Sequence, residues 1–177
     1  MKRPSLIDDQ LISTDEHYLC KYGFVILNRT QDRAWTGSRN IFMNTINLRL
    51  SSEKFQWDLK EVKQRLEIEK IQFTHLTGVI ENKEGPFNDV EIKTKRKMFS
   101  FFGDKNTIEN FYSIKQGEQI LKKNKGLRQI LLEFRDKDLE IKTTGGNLKF
   151  SFYFNSYFTD KYYDFIYSLL SEVVRKM

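Results

Sequence analysis

The stretch Leu139-Glu-Ile-Lys-Thr-Thr-Gly-Gly-Asn-Leu-Lys-Phe-Ser-Phe152 decides how the rest of the chain is read. Apolar and polar residues alternate on both sides of Gly145-Gly146. Two glycines between alternating runs signal a hairpin, because the tightest hairpin turns need positive φ at both central residues. A helical pattern follows. Tyr162, Phe165, Ile166, Leu169, Leu170 and Val173 recur at i, i+3, i+4, i+7, i+8 and i+11, which places them on one stripe. Thr159 or Asp160 can accept from the free N–H groups at its start. Arg175 and Lys176 stand at its end, where the helix dipole favours cations.

The same signature occurs earlier in the chain. Val90-Glu-Ile-Lys-Thr94 leads through Lys95-Arg-Lys97 to Met98-Phe-Ser-Phe-Phe-Gly103, as Leu139-Glu-Ile-Lys-Thr143 leads to Leu148-Lys-Phe-Ser-Phe152. Asp-Lys follows each copy, at Asp104-Lys105 and Asp160-Lys161, and then a segment with helical spacing. Both copies read as hairpin plus helix. The first helix, on Ile108, Phe111 and Tyr112, is interrupted by Gly117.

Working outward, Ile41-Phe-Met-Asn-Thr-Ile-Asn-Leu-Arg-Leu50 alternates as a half-buried strand, and Ser51-Ser-Glu-Lys54 makes a turn before a further strand from Phe55. Residues 59–73 fit neither period cleanly and lean to strand. Tyr18–Leu27 reads as a buried strand, and Asn28–Gly37 as a loop. Lys122–Gly126 reads as a polar joint and Leu127–Phe134 as a strand. Gly85-Pro86 is a turn. The expected division is a lead-in over 1–15, a domain over 16–122 and a second hairpin-helix unit over 123–177 packed on it, or one enlarged domain over 16–177.

Composition supports this reading. The chain has 177 residues with net charge +6, pI about 9.3, and 14% aromatic residues, too many for a disordered chain. The single alanine, Ala34, and the abundance of Phe, Tyr, Ile and Thr favour sheet. The fold class expected is α+β, mainly β: a bent antiparallel sheet with a C-terminal capping helix and a partial duplication. The one cysteine, Cys20, cannot form an intramolecular disulfide and suits a reducing compartment. No apolar run is long enough to span a bilayer, and the basic N-terminus lacks the apolar stretch of a secretory signal. A cytoplasmic location is expected, with peripheral membrane association if the ligand is a lipid.

Phe73-Thr-His-Leu-Thr-Gly-Val79, Val90-Glu-Ile-Lys-Thr94 and Phe99-Ser-Phe101 resemble the ending of pleckstrin-homology-like domains, closest to the GRAM-like and bacterial branches. Leu139–Leu170 resembles that ending again. The resemblance implies a seven-stranded bent antiparallel sheet plugged at one end by a helix. It further implies a non-enzymatic module that binds a protein partner or a phosphoinositide headgroup through basic loops. The early strand usual in the family has only an echo here, in Thr45-Ile-Asn-Leu-Arg49. The chain is too short for two full modules, so the second copy is either part of one enlarged module or a truncated unit that borrows strands from the first.

Three clusters of basic residues are the candidate binding sites. Arg29, Arg33 and Arg39 surround Trp35. Lys93, Lys95, Arg96 and Lys97 surround the first hairpin turn. Lys122, Lys123, Lys125 and Arg128 surround the joint. Near an anionic membrane each such residue contributes about 1 kcal/mol, and an indole at a loop tip favours the lipid interface. Loops also carry basic residues simply because they are solvated. A nucleic-acid surface with Trp35, Tyr157, Phe158, Tyr162 and Tyr163 as stacking platforms is the weaker alternative, since no recognition helix or RNP-type motif is present.

Catalytic patterns are sparse. His17, His75 and Cys20 lack zinc-ligand spacing; the two histidines read as ordinary strand residues and Cys20 as a buried small hydrophobe rather than a nucleophile. No phosphate-binding glycine loop occurs. Glu91-Ile-Lys93 and Glu140-Ile-Lys142 match the Glu-x-Lys element of Mg²⁺-dependent restriction-type nucleases, with Asp89, Asp136 or Asp138 as upstream acids. The same residues also suit outward-facing cross-strand ion pairs. The expectation is a binding protein without cofactor or metal, with the nuclease and a small steric inhibitor or adaptor as alternatives.

Overall fold

Seven apolar residues and one glycine, one from each strand, lie in a line across a single antiparallel sheet. The computed structural model describes residues 17–36, 39–66, 72–95, 107–116, 125–134, 137–154 and 160–176. Strands β1 (Val25–Thr36), β2 (Arg39–Ser51), β3 (Phe55–Leu66) and β4 (Gln72–Asn82) form a long meander. Then come β5 (Glu91–Thr94), β6 (Tyr112–Lys115), helix α1 (Lys125–Glu133), the hairpin β7 (Asp138–Thr144) and β8 (Asn147–Phe154), and helix α2 (Asp160–Lys176). The strand order is β1-β2-β3-β4-β8-β7-β5-β6. The sheet is open, with β1 and β6 at its edges. No described helix is long and apolar enough to cross a membrane.

The line runs Ile26–Leu48–Leu59–Gly78–Phe150–Ile141–Ile92–Ile114 from edge to edge. Residues directly opposite in a ladder share a face, so these eight define the inner face. At Gly78 a Cβ would lie 2.7 Å from the Asp58 carbonyl oxygen and closer still to the Phe150 ring, so only glycine fits beside that ring. Helix α2 covers the inner face with Tyr163, Ile166, Leu169, Leu170, Val173 and Val174, all buried. Its buried stripe is turned slightly from the expected one: Tyr162 and Phe165 are half-buried, whereas Tyr163 and Val174 are covered.

The mainly β architecture, antiparallel sheet and C-terminal helix follow the sequence pattern. Four local expectations do not. Tyr18–Tyr22 is a 3₁₀ turn rather than a strand, closed by Gly23 at φ 89°. Tyr22 stacks on Tyr167 of α2, and the Tyr18 and Tyr22 hydroxyls both donate to Asp164. Asn28–Thr36 is not a loop but most of β1, whose polar pattern reflects an edge strand lacking a fully buried face. Leu127–Glu133 lies in helix α1, and Leu131 and Phe134, just past its end, are buried three residues apart. The helix expected on Ile108–Tyr112 is a 3₁₀ turn at Ile108–Asn110 followed by β6.

The two Glu-Ile-Lys segments pair with each other. Glu91 faces Lys142, Ile92 faces Ile141 and Lys93 faces Glu140. The Gly145-Gly146 turn of the second copy forms as expected, with φ 60° and 79°. In the first copy, β5 pairs with β6 on its other side; Phe99-Ser-Phe101 and Gly117 lie outside the described residues. Because β8 pairs with β4 and β7 with β5, the strands of 138–154 lie inside the sheet built by residues 25–115.

Candidate functional site

Moving along the strands from the apolar line, the inner face turns polar. The next row holds Arg29, Ile46, Glu61, Leu76, Phe152 and Leu139; the one after holds Gln31, Asn44, Lys63, Thr74 and Phe154; the third holds Arg33, Phe42, Arg65 and Gln72. Strand β3 shows why. Its inward positions are Trp57, Leu59, Glu61 and Lys63, so the strand keeps its alternation while exchanging apolar for charged residues.

Glu61 is fully buried. Its Oε2 lies 3.1 Å from His17 Nε2 and accepts from the Tyr163 hydroxyl at 2.5 Å, while Oε1 lies 3.2 Å from Lys63 Nζ. His17 Nδ1 accepts from the Leu19 N–H at 3.1 Å, which assigns the ring proton to Nε2 and makes it the donor to Glu61. Burial alone would raise the Glu61 carboxyl. The charge of Lys63, then the contacts of His17 and Tyr163, reverse this and hold it at about 2. Burial, then Glu61, pushes the Tyr163 hydroxyl well above its usual value, so it stays a neutral donor. One carboxylate thus ties the turn after His17, strand β3 and helix α2 together. It is charged and, among the described residues, fully covered. His17 is a turn cap rather than a strand residue. The signal for Glu61 and Lys63 was present in the sequence as two charges on the apolar phase of β3.

The three basic clusters are distributed unequally. Arg29, Arg33 and Trp35 all lie on β1, on alternate positions of one face, and Arg39 opens β2. Arg33 Nε donates to Asn40 Oδ1 at 3.0 Å, and its guanidinium lies over the Phe42 ring. Lys93 is on β5, with Lys95 just after it. Lys125 and Arg128 are on α1. Arg96, Lys97, Lys122 and Lys123 lie outside the described residues. The second and third clusters meet at Glu109: Lys95 Nζ donates to its carbonyl at 2.5 Å, and Arg128 lies 3.7 Å from its carboxylate. The first cluster is on the opposite edge of the sheet, with five strands between β1 and β5.

The Glu-Ile-Lys residues are engaged with one another. Lys93 lies 3.7 Å and Lys142 3.1 Å from Glu140, and Lys115 lies 3.1 Å from Glu91. Among the described residues no three His, Cys, Asp or Glu side chains converge to hold a metal ion. Of the suggested stacking aromatics, Tyr163 is buried on Glu61, and Tyr162 packs against Phe134 and Phe154. Tyr157 and Phe158 lie outside the described residues.

One surface feature was invisible in the sequence. Among the described residues the exposed large hydrophobic side chains are Val25, Leu27 and Trp35, at 63%, 52% and 66% exposure, and all three are on β1. That strand is twelve residues long and, among the described residues, pairs only with β2. Comparison of the chain with protein-family models, with curated proteins and with solved structures found no match.

Proposed function

We propose that this protein is a non-enzymatic binding module that receives an extended segment of a partner protein on the free edge of β1. The supporting observation is the confinement of the exposed large hydrophobics to that one edge strand. An unpaired strand offers a row of backbone donors and acceptors, and strand addition uses them for affinity and the flanking side chains for selectivity. Arg29, Gln31, Arg33 and Trp35 share one face of β1 with no acid among them. The segment that complements them carries Glu or Asp opposite the arginines and an apolar residue opposite Trp35. This reading keeps the binding role that the resemblance to pleckstrin-homology-like domains implies, and it favours a protein partner over a lipid because the basic clusters divide between opposite edges.

The test uses a labelled peptide with alternating Val and Glu, matched in length to β1. Binding that protects β1 amides from hydrogen exchange and weakens about tenfold or more in Arg33→Glu and Trp35→Ala supports the proposal. Three results overturn it: no peptide binding, concentration-dependent dimerisation through β1 instead, or binding only to phosphatidylserine vesicles.

A further inference from the structure

The outer face of the sheet, opposite α2, carries a depression of about 610 Å³ crossed by β1, β2, β3, β4 and β8. That volume falls within the range of small-molecule sites, roughly 300–1,000 Å³. Its polar groups are unequally satisfied. Asp58 is the one carboxylate among the described lining residues, and it is already engaged: Arg49 Nε donates to it at 2.5 Å and Gln56 at 2.8 Å. Lys60 and Lys149 line the same space, and among the described residues neither makes an ion pair. Lys60 stands opposite Asn47 and Thr77. Lys149 stands opposite Val79 on one side and Lys142 on the other.

Two lysines directly opposed across a ladder repel one another. Lys142 is compensated by Glu140 at 3.1 Å, which leaves Lys149 as the uncompensated member. Between Lys60 and Lys149 lies β4, presenting the Thr77 hydroxyl and the Val79 side chain outward. Among the described residues the hydroxyl is held only by a long 3.4 Å contact to the Lys60 carbonyl. Two uncompensated cations flanking a hydroxyl and an apolar side chain, in a concavity, complement an anionic head attached to an apolar body.

We propose that this depression binds a small organic anion, its phosphate or carboxylate held by Lys60, Lys149 and Thr77 and its apolar part resting on Val79. The depression reaches β1 at Leu27 and Asn28, whereas the groups proposed to hold the anion lie on β3, β4 and β8. His75 supplies an independent reporter. It lies on the same face of β4, with Nε2 2.9 Å from Ser151 Oγ, and burial together with the charge of Lys60 holds its imidazole below the usual value. An anion beside Lys60 offsets that charge and raises the His75 titration midpoint.

The experiment titrates the whole chain with phenyl phosphate, benzoate and neutral benzyl alcohol, following backbone amide and His75 ring resonances by NMR. The expected result is a saturable shift centred on Thr77, Val79 and Lys149 with at least one of the two anions, accompanied by an upward His75 titration. Whichever anion binds more tightly identifies the head group. Lys60→Gln/Lys149→Gln, shown to be folded by its amide spectrum, weakens binding about tenfold or more, while Lys93→Gln leaves it unchanged. Failure of both anions, equal binding of benzyl alcohol, or undiminished binding by the double variant overturns the proposal.

Discussion

Lys93 and Glu140 face each other across the β5–β7 ladder, 3.7 Å apart, in the register that sets Glu91 opposite Lys142. The two Glu-Ile-Lys segments are therefore each other's partners, related by a local two-fold about Ile92 and Ile141. Their charges alternate so that every acid meets a base. Lys93→Glu sets two acids opposite each other and is expected to cost about 0.5–1 kcal/mol, because the Lys93 side chain is more than half exposed. Lys93→Gln stays within about 0.5 kcal/mol. Urea unfolding at low salt checks both, and a loss above about 2 kcal/mol in either variant would assign Lys93 a role beyond the ladder.

Glu61→Gln removes the buried carboxylate 3.2 Å from Lys63, and the expected loss is about 3–5 kcal/mol. The pH dependence follows from the direction of the shift. Glu61 is held at about 2, below the 4.5 of an unperturbed glutamate. Its stabilisation is therefore present above pH 4.5 and is lost as pH falls toward 2. Denaturant midpoints measured between those limits fall steeply in the wild type, and the part of the slope due to Glu61 is missing from the variant.

Asn44 is 1% exposed, and among the described residues neither its amide oxygen nor its amide nitrogen has a hydrogen-bond partner. A buried polar group left unsatisfied costs about 1–3 kcal/mol. Asn44→Leu, similar in size, is expected to raise stability by an amount of that order. A thermal melt showing destabilisation would contradict this account of the position.

Gly78 occupies the centre of the apolar line, against Phe150 and the Asp58 carbonyl. Gly78→Ala is expected to destabilise by about 1–3 kcal/mol through overpacking. Adding Phe150→Leu recovers part of the loss by removing the ring contact, but the contact with the Asp58 carbonyl remains. Chemical denaturation of the two single variants and the double variant gives the coupling, and strict additivity would show that the ring is not the obstacle.

The legible parts of the fold were those where one face is buried and the other solvated. β2, the β7–β8 hairpin and α2 all meet that condition, and each reads from its period alone. β1 does not: Arg29, Gln31 and Arg33 occupy the phase that Ile46, Asn44 and Phe42 occupy beside them, so an edge strand looked like a loop. At the end of α1, Leu131 and the following Phe134 carried helical spacing, but the adjacent Ile130 and Leu132 made the segment look like a continuous buried strand. For the candidate site, residue types were readable and convergence was not. Lys95 and Arg128 are 33 positions apart and share Glu109, while Lys60 and Lys149, 89 positions apart, flank one depression.

The strand order has a consequence for the history of each molecule. No ladder joins β4 to β5 directly; β8 and β7 stand between them. During synthesis the meander from Val25 to Asn82 emerges first, and its β4 edge stays open until Asn147–Phe154 follows. The C-terminal hairpin is thus the keystone of the assembly. Folding is committed late, by its longest-range pairing, which is the slow route for a chain of this size. A ribosomal product that stops before the keystone is left with an adhesive sheet edge rather than a smaller working domain.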